Sequence, residues 1–173
     1  MAFGGREQPV QIDQDSPRVR FPPPLIYLGA LLLGVGFDEL IGARAGLARL
    51  HGLGLVAEVR IWPAIAALST GVVIALLATG SFRRAGTDVK PWRSSTTLVT
   101  DGPFRWTRNP MYLGMSLIYI GLALAADSLA ALLLLVPVLI IIQTQVIVRE
   151  ERYLEGKFGD EYRAYKARVR RWL

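Results

Sequence analysis

Apolar residues in this chain come in long runs separated by short polar stretches, with little of the strict alternation of a half-buried strand. A bilayer core of about 30 Å takes roughly 20 helical residues, so the runs predict four spans. The first covers about Leu25–Ile41 and is short, with Asp38 and Glu39 at its far, interfacial end. The second covers Ile61–Thr79 without a charge and opens on Trp62 and Pro63, an interface residue and a first-turn residue. The third covers about Tyr112–Ala126 and the fourth Leu129–Val148. Only Asp127-Ser128 separates these two, which predicts a tight antiparallel hairpin. Pro137 predicts a kink in the fourth span. Gly114 and Gly121, seven apart, give the third helix a small face for close packing.

The polar stretches complete the layout. Residues 1–24 read as a flexible tail ending at Pro22-Pro23-Pro24, and they lack the apolar region of a secretory signal. Residues 42–60 are weakly apolar with four glycines and read as an interfacial or re-entrant segment. Near the C-terminus, Leu154, Phe158, Tyr162, Tyr165, Val169 and Trp172 recur at spacings of three and four, an amphipathic stripe suited to a membrane surface. Gly159 should break this helix in two. The expected fold is an all-α integral membrane protein, with residues 25–173 as a single domain.

Composition narrows the chemistry. There is no cysteine and one histidine, His51, in a Gly-rich stretch. Cysteine nucleophiles, disulfides and multi-histidine metal sites are thereby excluded, and no Ser/His/Asp triad is in view. The net charge is +6, but the cations flank apolar runs instead of forming a soluble patch. That favours anionic lipid headgroups over nucleic acid as partners. With four spans, both termini and the 81–110 loop share one side. That side holds 17 of the 20 Lys and Arg residues. The positive-inside rule makes it the cytoplasm, for a multi-pass protein of an inner or plasma membrane.

Two motif-dense segments lie on that side: residues 101–114, DGPFRWTRNPMYLG, and residues 149–165, REERYLEGKFGDEYRAY. In Arg108-Asn109-Pro110, the proline starts a helix and pushes Asn109 out of helical geometry, making it a natural N-cap. A helix N-terminus favours anionic groups. Taken alone, the triplet is equally an N-cap beside a lipid-phosphate arginine. Glu150 and Glu151 close the fourth span, where carboxylates oppose the helix dipole and need a positive offset. Arg149, Arg152 or a cationic ligand could supply it. A metal does not fit, since no histidine is near and Asp101 is the only further carboxylate in the first motif.

TLVTDGPFRWTRNPMYLG, an apolar hairpin, and EERYLEGKFGDEYRAYKARVRRW together resemble the isoprenylcysteine carboxyl methyltransferase and phospholipid methyltransferase superfamily. The resemblance covers residues 96–172; residues 1–95 match only as generic membrane spans. It implies a helical membrane enzyme that uses S-adenosylmethionine in a cytoplasm-facing pocket, while a lipophilic acceptor enters from the bilayer. By position, Thr96, Thr97, Leu98 and Val99 would line the cofactor, and Phe104 takes a place held by tyrosine in the eukaryotic enzymes. Asn109 stands for the histidine of an RHP triplet, Pro110 and Tyr112 match, and Glu150 corresponds to the cofactor-binding glutamate beside Glu151. Under this reading Glu150 and Glu151 suit the cofactor's ammonium, and Arg108 with the helix N-terminus suits its carboxylate. Phe104, Trp106 and Tyr112 suit the adenine or sulfonium. Asn109 and Glu150 are the expected catalytic residues. Methyl transfer is an in-line displacement, so alignment and desolvation can supply most of the catalysis.

Two departures bear on the acceptor. The prenylcysteine enzymes carry an arginine, four residues before that glutamate, for the substrate carboxylate; Val146 stands there, with Gln143 and Gln145 nearby. Asn109 also removes a potential proton acceptor. Both point to another lipophilic acceptor, such as a lipid amine, phenol or thiol. Two other classes fit the same motifs. An NADPH-dependent membrane reductase shares a similar triplet, but its 2′-phosphate would want arginines where the EE pair lies. A non-enzymatic membrane scaffold would need neither Glu150 nor Asn109.

Overall fold

The computed structural model describes residues 22–45, 53, 55–87 and 95–173. These form five helices: α1 Pro23–Ala45, α2 Ala57–Arg84, α3 Pro110–Ala125, α4 Leu129–Ile141 and α5 Val148–Arg168. A 3-10 turn at Gly102–Arg105 precedes α3, and a π-helical turn at Ile142–Ile147 joins α4 to α5. Among the described residues there is no strand, and the chain is an all-α membrane protein. Three helical stretches are long and apolar enough to cross a bilayer, namely α1, α2 and the continuous path from α4 through the π turn into α5; α3, with 16 residues, is shorter. Leu33 and Leu76 are 71% and 67% exposed, as befits side chains that meet lipid.

The helices run longer than the apolar runs that announce them. Pro23 and Pro24 occupy the first turn of α1, where a missing N–H costs nothing. Residues 42–45 extend α1 and residues 57–60 open α2, which shortens the expected interfacial segment 42–60 from both ends. Residues 46–52 and 54 lie outside the described residues, His51 among them, as does most of the expected tail 1–24.

Small residues set the packing. A Cβ on Gly71 would fall 2.6 Å from the Gly114 carbonyl oxygen, and one on Gly121 would fall 2.8 Å from that of Ala64. The small face of α3 therefore seats α2 within the one chain, backbone against backbone. Gly34 does the same for α1 against Ala131 of α4. Because backbone cannot yield as a flexible side chain can, Gly71→Ala should cost about 1–3 kcal/mol. A thermal melt in detergent checks it; an unchanged midpoint would contradict the close α2–α3 contact.

Between α1, α3 and α4 lies a core with buried hydroxyls. Tyr27 and Ser116 share a 2.9 Å hydrogen bond, and the Tyr119 hydroxyl donates to the Ala131 carbonyl at 2.7 Å. At the far end, the Ser128 side chain caps α4 by accepting from the Ala131 amide at 3.0 Å. Asp38 in turn accepts from Ser128 Oγ at 2.6 Å and from the Ala130 amide at 3.1 Å. Arg60 donates to the Leu124 and Ala125 carbonyls, tying off the C-terminus of α3. Asp127 takes the left-handed conformation (φ 55°) that closes the hairpin.

α4 does not stop where the apolar run stops. The π turn begins five residues after Pro137 and carries the buried row Ala131, Leu135, Val138, Ile142, Val146 and Ile147 onward to Glu151. Glu150 and Glu151 thus sit inside a continuous helical path, so the expected clash with a helix C-terminus does not arise. Gly159 has φ 53° and bends α5 where the sequence places a break.

Candidate functional site at the base of α3

The site is built where the loop before α3, the start of α5 and the C-terminal tail meet. After α5 the chain extends, and Thr107 pairs with Arg170 in a single parallel bridge. The Arg108 amide donates to the Arg170 carbonyl at 2.9 Å. The Arg171 carbonyl accepts from Thr107 Oγ1 at 3.1 Å and from Asn109 Nδ2 at 2.9 Å. Trp172 Nε1 donates to Gln143 in the π turn at 2.8 Å. Residues 169–172 therefore strap the loop to the end of the α4 path.

Asn109 holds the N-cap position of α3, with φ −128° and ψ 52°, but its side chain caps nothing. It is buried and spends its amide on the strap instead. The Asn109 backbone N–H donates to Thr107 Oγ1 at 3.2 Å. Pro110 opens α3 as the sequence requires.

The two glutamates are satisfied in different ways. Glu151 is buried and takes a two-pronged hydrogen bond from Arg171, Nε at 2.9 Å and Nη2 at 2.7 Å. Arg108 Nη1 also lies 3.1 Å from Glu151 Oε1, and both of those side chains are 9% exposed. Arg149 and Arg152, the expected offsets, do not fill that role: Arg149 turns to Gln145 at 3.0 Å and Arg152 is exposed. Glu150, partly buried, accepts from the Tyr112 hydroxyl at 2.7 Å. Among the described residues, no cation lies within ion-pair distance of it. Burial pushes its carboxyl up to about 7; Glu151 beside it adds to the rise, and the Tyr112 hydrogen bond works against it.

Arg108 is the other unsettled group. Its Nε and Nη1 are buried and make no hydrogen bond. Tyr162 lies beside it, and burial pushes that hydroxyl up to about 12, so it stays a proton donor at neutral pH. The Tyr165 hydroxyl donates to the Phe104 carbonyl at 2.8 Å and fixes the 3-10 turn to α5.

The remaining expected residues sit to one side. Val99 and Phe104 are buried with Ala78, and the Phe104 ring meets Phe82 edge-on at 5.1 Å. Thr96 is exposed; its amide donates to Thr87 Oγ1 at 3.0 Å, at the end of α2. Thr97 is exposed and Leu98 half-buried. The structure thus gathers Arg108, Asn109, Pro110, Tyr112, Glu150 and Glu151 at the base of α3, and lays 96–99 toward α2. Sequence reasoning missed Thr107, Gln143, Arg171 and Trp172. The usable signal was Glu151 itself, a carboxylate beside an apolar run that must find cations.

Comparison with known proteins follows the same ground. The model of the family described as phospholipid methyltransferase matches residues 59–161, from α2 into the second half of α5. An uncharacterized protein of Haemophilus influenzae is 55% identical over 64 residues, 36% of this chain and 100% of that protein. Protein-S-isoprenylcysteine O-methyltransferase of Schizosaccharomyces pombe is 36% identical over 72 residues, 42% of this chain and 30% of the yeast protein. No solved structure gives a significant match. The family match spans more than half of the chain and includes both the base of α3 and the glutamate pair, and the chain belongs to the phospholipid methyltransferase family.

Proposed function

We propose that this chain methylates a lipophilic acceptor held in the bilayer, with S-adenosylmethionine as donor, at the cytoplasmic face. Family membership supports methyl transfer to a membrane substrate. The observation that carries the cofactor reading is the unequal pair of carboxylates. Glu151 is neutralised by Arg108 and Arg171, whereas Glu150 has a hydroxyl partner and, among the described residues, no cation.

The residues fit the group. Glu150 would hold the α-ammonium, and the orphaned Nε–H of Arg108, whose Nη1 already faces Glu151, would take the carboxylate. Tyr112 orients Glu150 through its 2.7 Å hydrogen bond. S-adenosylmethionine, when bound, supplies an electrophilic methyl on its sulfonium. Asn109, Thr107 and the strap hold Arg108 in place, and apolar residues of the helices exclude water. α3 rises about 24 Å over its 16 residues, a little less than the bilayer core, and the polar, cationic loop before it would hold its base at the edge of that core, within reach of a lipid acceptor. Of the expected cofactor residues, Thr96, Thr97, Leu98, Val99 and Phe104 would line the pocket from the α2 side.

A pH dependence follows. The ammonium needs Glu150 ionised, and that carboxyl sits at about 7. Affinity for S-adenosylhomocysteine should rise by up to about tenfold per pH unit below 7, then level off above it. Glu150→Gln should flatten the profile. Calorimetric Kd values at pH 6, 7 and 8 check this; a wild-type profile with no slope removes Glu150 from the contact. The reaction itself is tested by incubating the nanodisc-embedded protein and a lipid extract with methyl-labelled S-adenosylmethionine. Label in the organic phase supports the proposal, and its absence across extracts from several sources would count against it.

A further inference from the structure

A groove of about 440 Å³ opens between the 3-10 turn and the C-terminal end of α2. Leu77, Arg84, Gly102, Pro103, Arg105 and Trp106 line it. No carboxylate is among them, and among the described residues neither arginine has an acidic partner. Two unneutralised guanidiniums facing one groove repel each other unless an anion sits between them.

The groove is also shaped. Ser81 Oγ accepts from Arg84 Nη2 at 3.0 Å and steadies that guanidinium. Gly102 stands at φ 58°, and a Cβ there would fall 2.6 Å from Ser81 Oγ. Glycine alone lets the turn approach Ser81 this closely, and the groove so formed has both Arg84 and Arg105 in its lining. The walls change character along the groove. Leu77, 51% exposed, continues the lipid-facing side of α2, and Trp106 is 76% exposed. An exposed tryptophan beside arginines is the usual composition of a headgroup-level anchor.

We propose that this groove binds the phosphate of an anionic bilayer phospholipid, with the guanidiniums on the phosphodiester and with Leu77 and Trp106 against the upper acyl chain. A free phosphate would use the arginines and leave the apolar walls idle, which is why the lipid is the favoured source. The site uses none of Arg108, Tyr112, Glu150 or Glu151, and it takes Trp106, which the resemblance offered to the cofactor, for the lipid instead.

Native mass spectrometry of the full chain, released from detergent with phosphatidylglycerol or phosphatidylcholine, tests it. Wild type should retain one phosphatidylglycerol with roughly tenfold preference over phosphatidylcholine. Arg84→Gln/Arg105→Gln should abolish that preference, Arg84→Lys/Arg105→Lys should keep part of it, and both should melt as wild type does. S-adenosylhomocysteine binding should be unchanged in both. An undiminished preference in the glutamine variant, or none in folded wild type, overturns the site. Competition by inorganic phosphate as strong as by phosphatidylglycerol overturns the lipid assignment. Loss of S-adenosylhomocysteine binding in the glutamine variant would make the groove part of the cofactor pocket and also overturn it.

Discussion

Glu151→Gln is expected to be the most damaging single substitution at the base of α3. Arg108 and Arg171 converge on this one buried carboxylate. Without its charge, two guanidiniums face each other in a poorly solvated place. Breaking a buried ion cluster in this way costs about 3–5 kcal/mol, enough to lower the melting temperature by on the order of 10 °C. The strap should loosen as well, because Arg171 loses both prongs of its hydrogen bond. Limited proteolysis should then remove the last residues early. Arg171→Met should cost less, since Arg108 still neutralises Glu151. Thermal melts of Glu151→Gln beside Glu161→Gln, an exposed control, decide the point. Equal midpoints would mean that the cluster does not hold the strap.

Glu150→Gln should do the reverse, sparing the fold and weakening the cofactor. Among the described residues its side chain is tied only to Tyr112, and an amide oxygen can still accept that hydrogen bond. What disappears is a charge-assisted contact to an ammonium, worth about 1.5–3 kcal/mol or roughly ten- to hundred-fold in Kd. Tyr112→Phe should weaken binding less, because it frees the carboxylate without removing it. If Glu150→Gln bound S-adenosylhomocysteine as wild type does while Glu151→Gln lost it at equal stability, the two glutamates would have exchanged roles.

The division between these neighbours shows what the sequence could and could not tell. Four apolar runs, the first and third of them shorter than a bilayer core needs, the Asp127-Ser128 break and the Gly114/Gly121 face were legible because burial in lipid and close helix approach each dictate residue type. Gly159 was legible because a left-handed break in a helix favours glycine. The pairing of Glu151 with Arg171 was not. Twenty residues separate them, and an arginine in a basic tail looks the same whether solvated or buried against a carboxylate. The partner of the Asn109 side chain was not legible for a related reason. Local rules place Asn109 at the N-cap, as found, with its side chain left for other contacts, but the Arg171 carbonyl it takes is a partner that only the tertiary fold supplies. The π turn left no trace either, since Ile142–Ile147 carries a sequence that suits an α-helix equally well.

The central claim is that the base of α3 is a cofactor site, and calorimetric titration of wild-type protein in nanodiscs with S-adenosylhomocysteine tests it most directly. The account predicts saturable binding at one site per chain, strengthening from pH 6 to pH 8. Absence of binding by protein that retains its helical circular dichroism and its cooperative melt would contradict it.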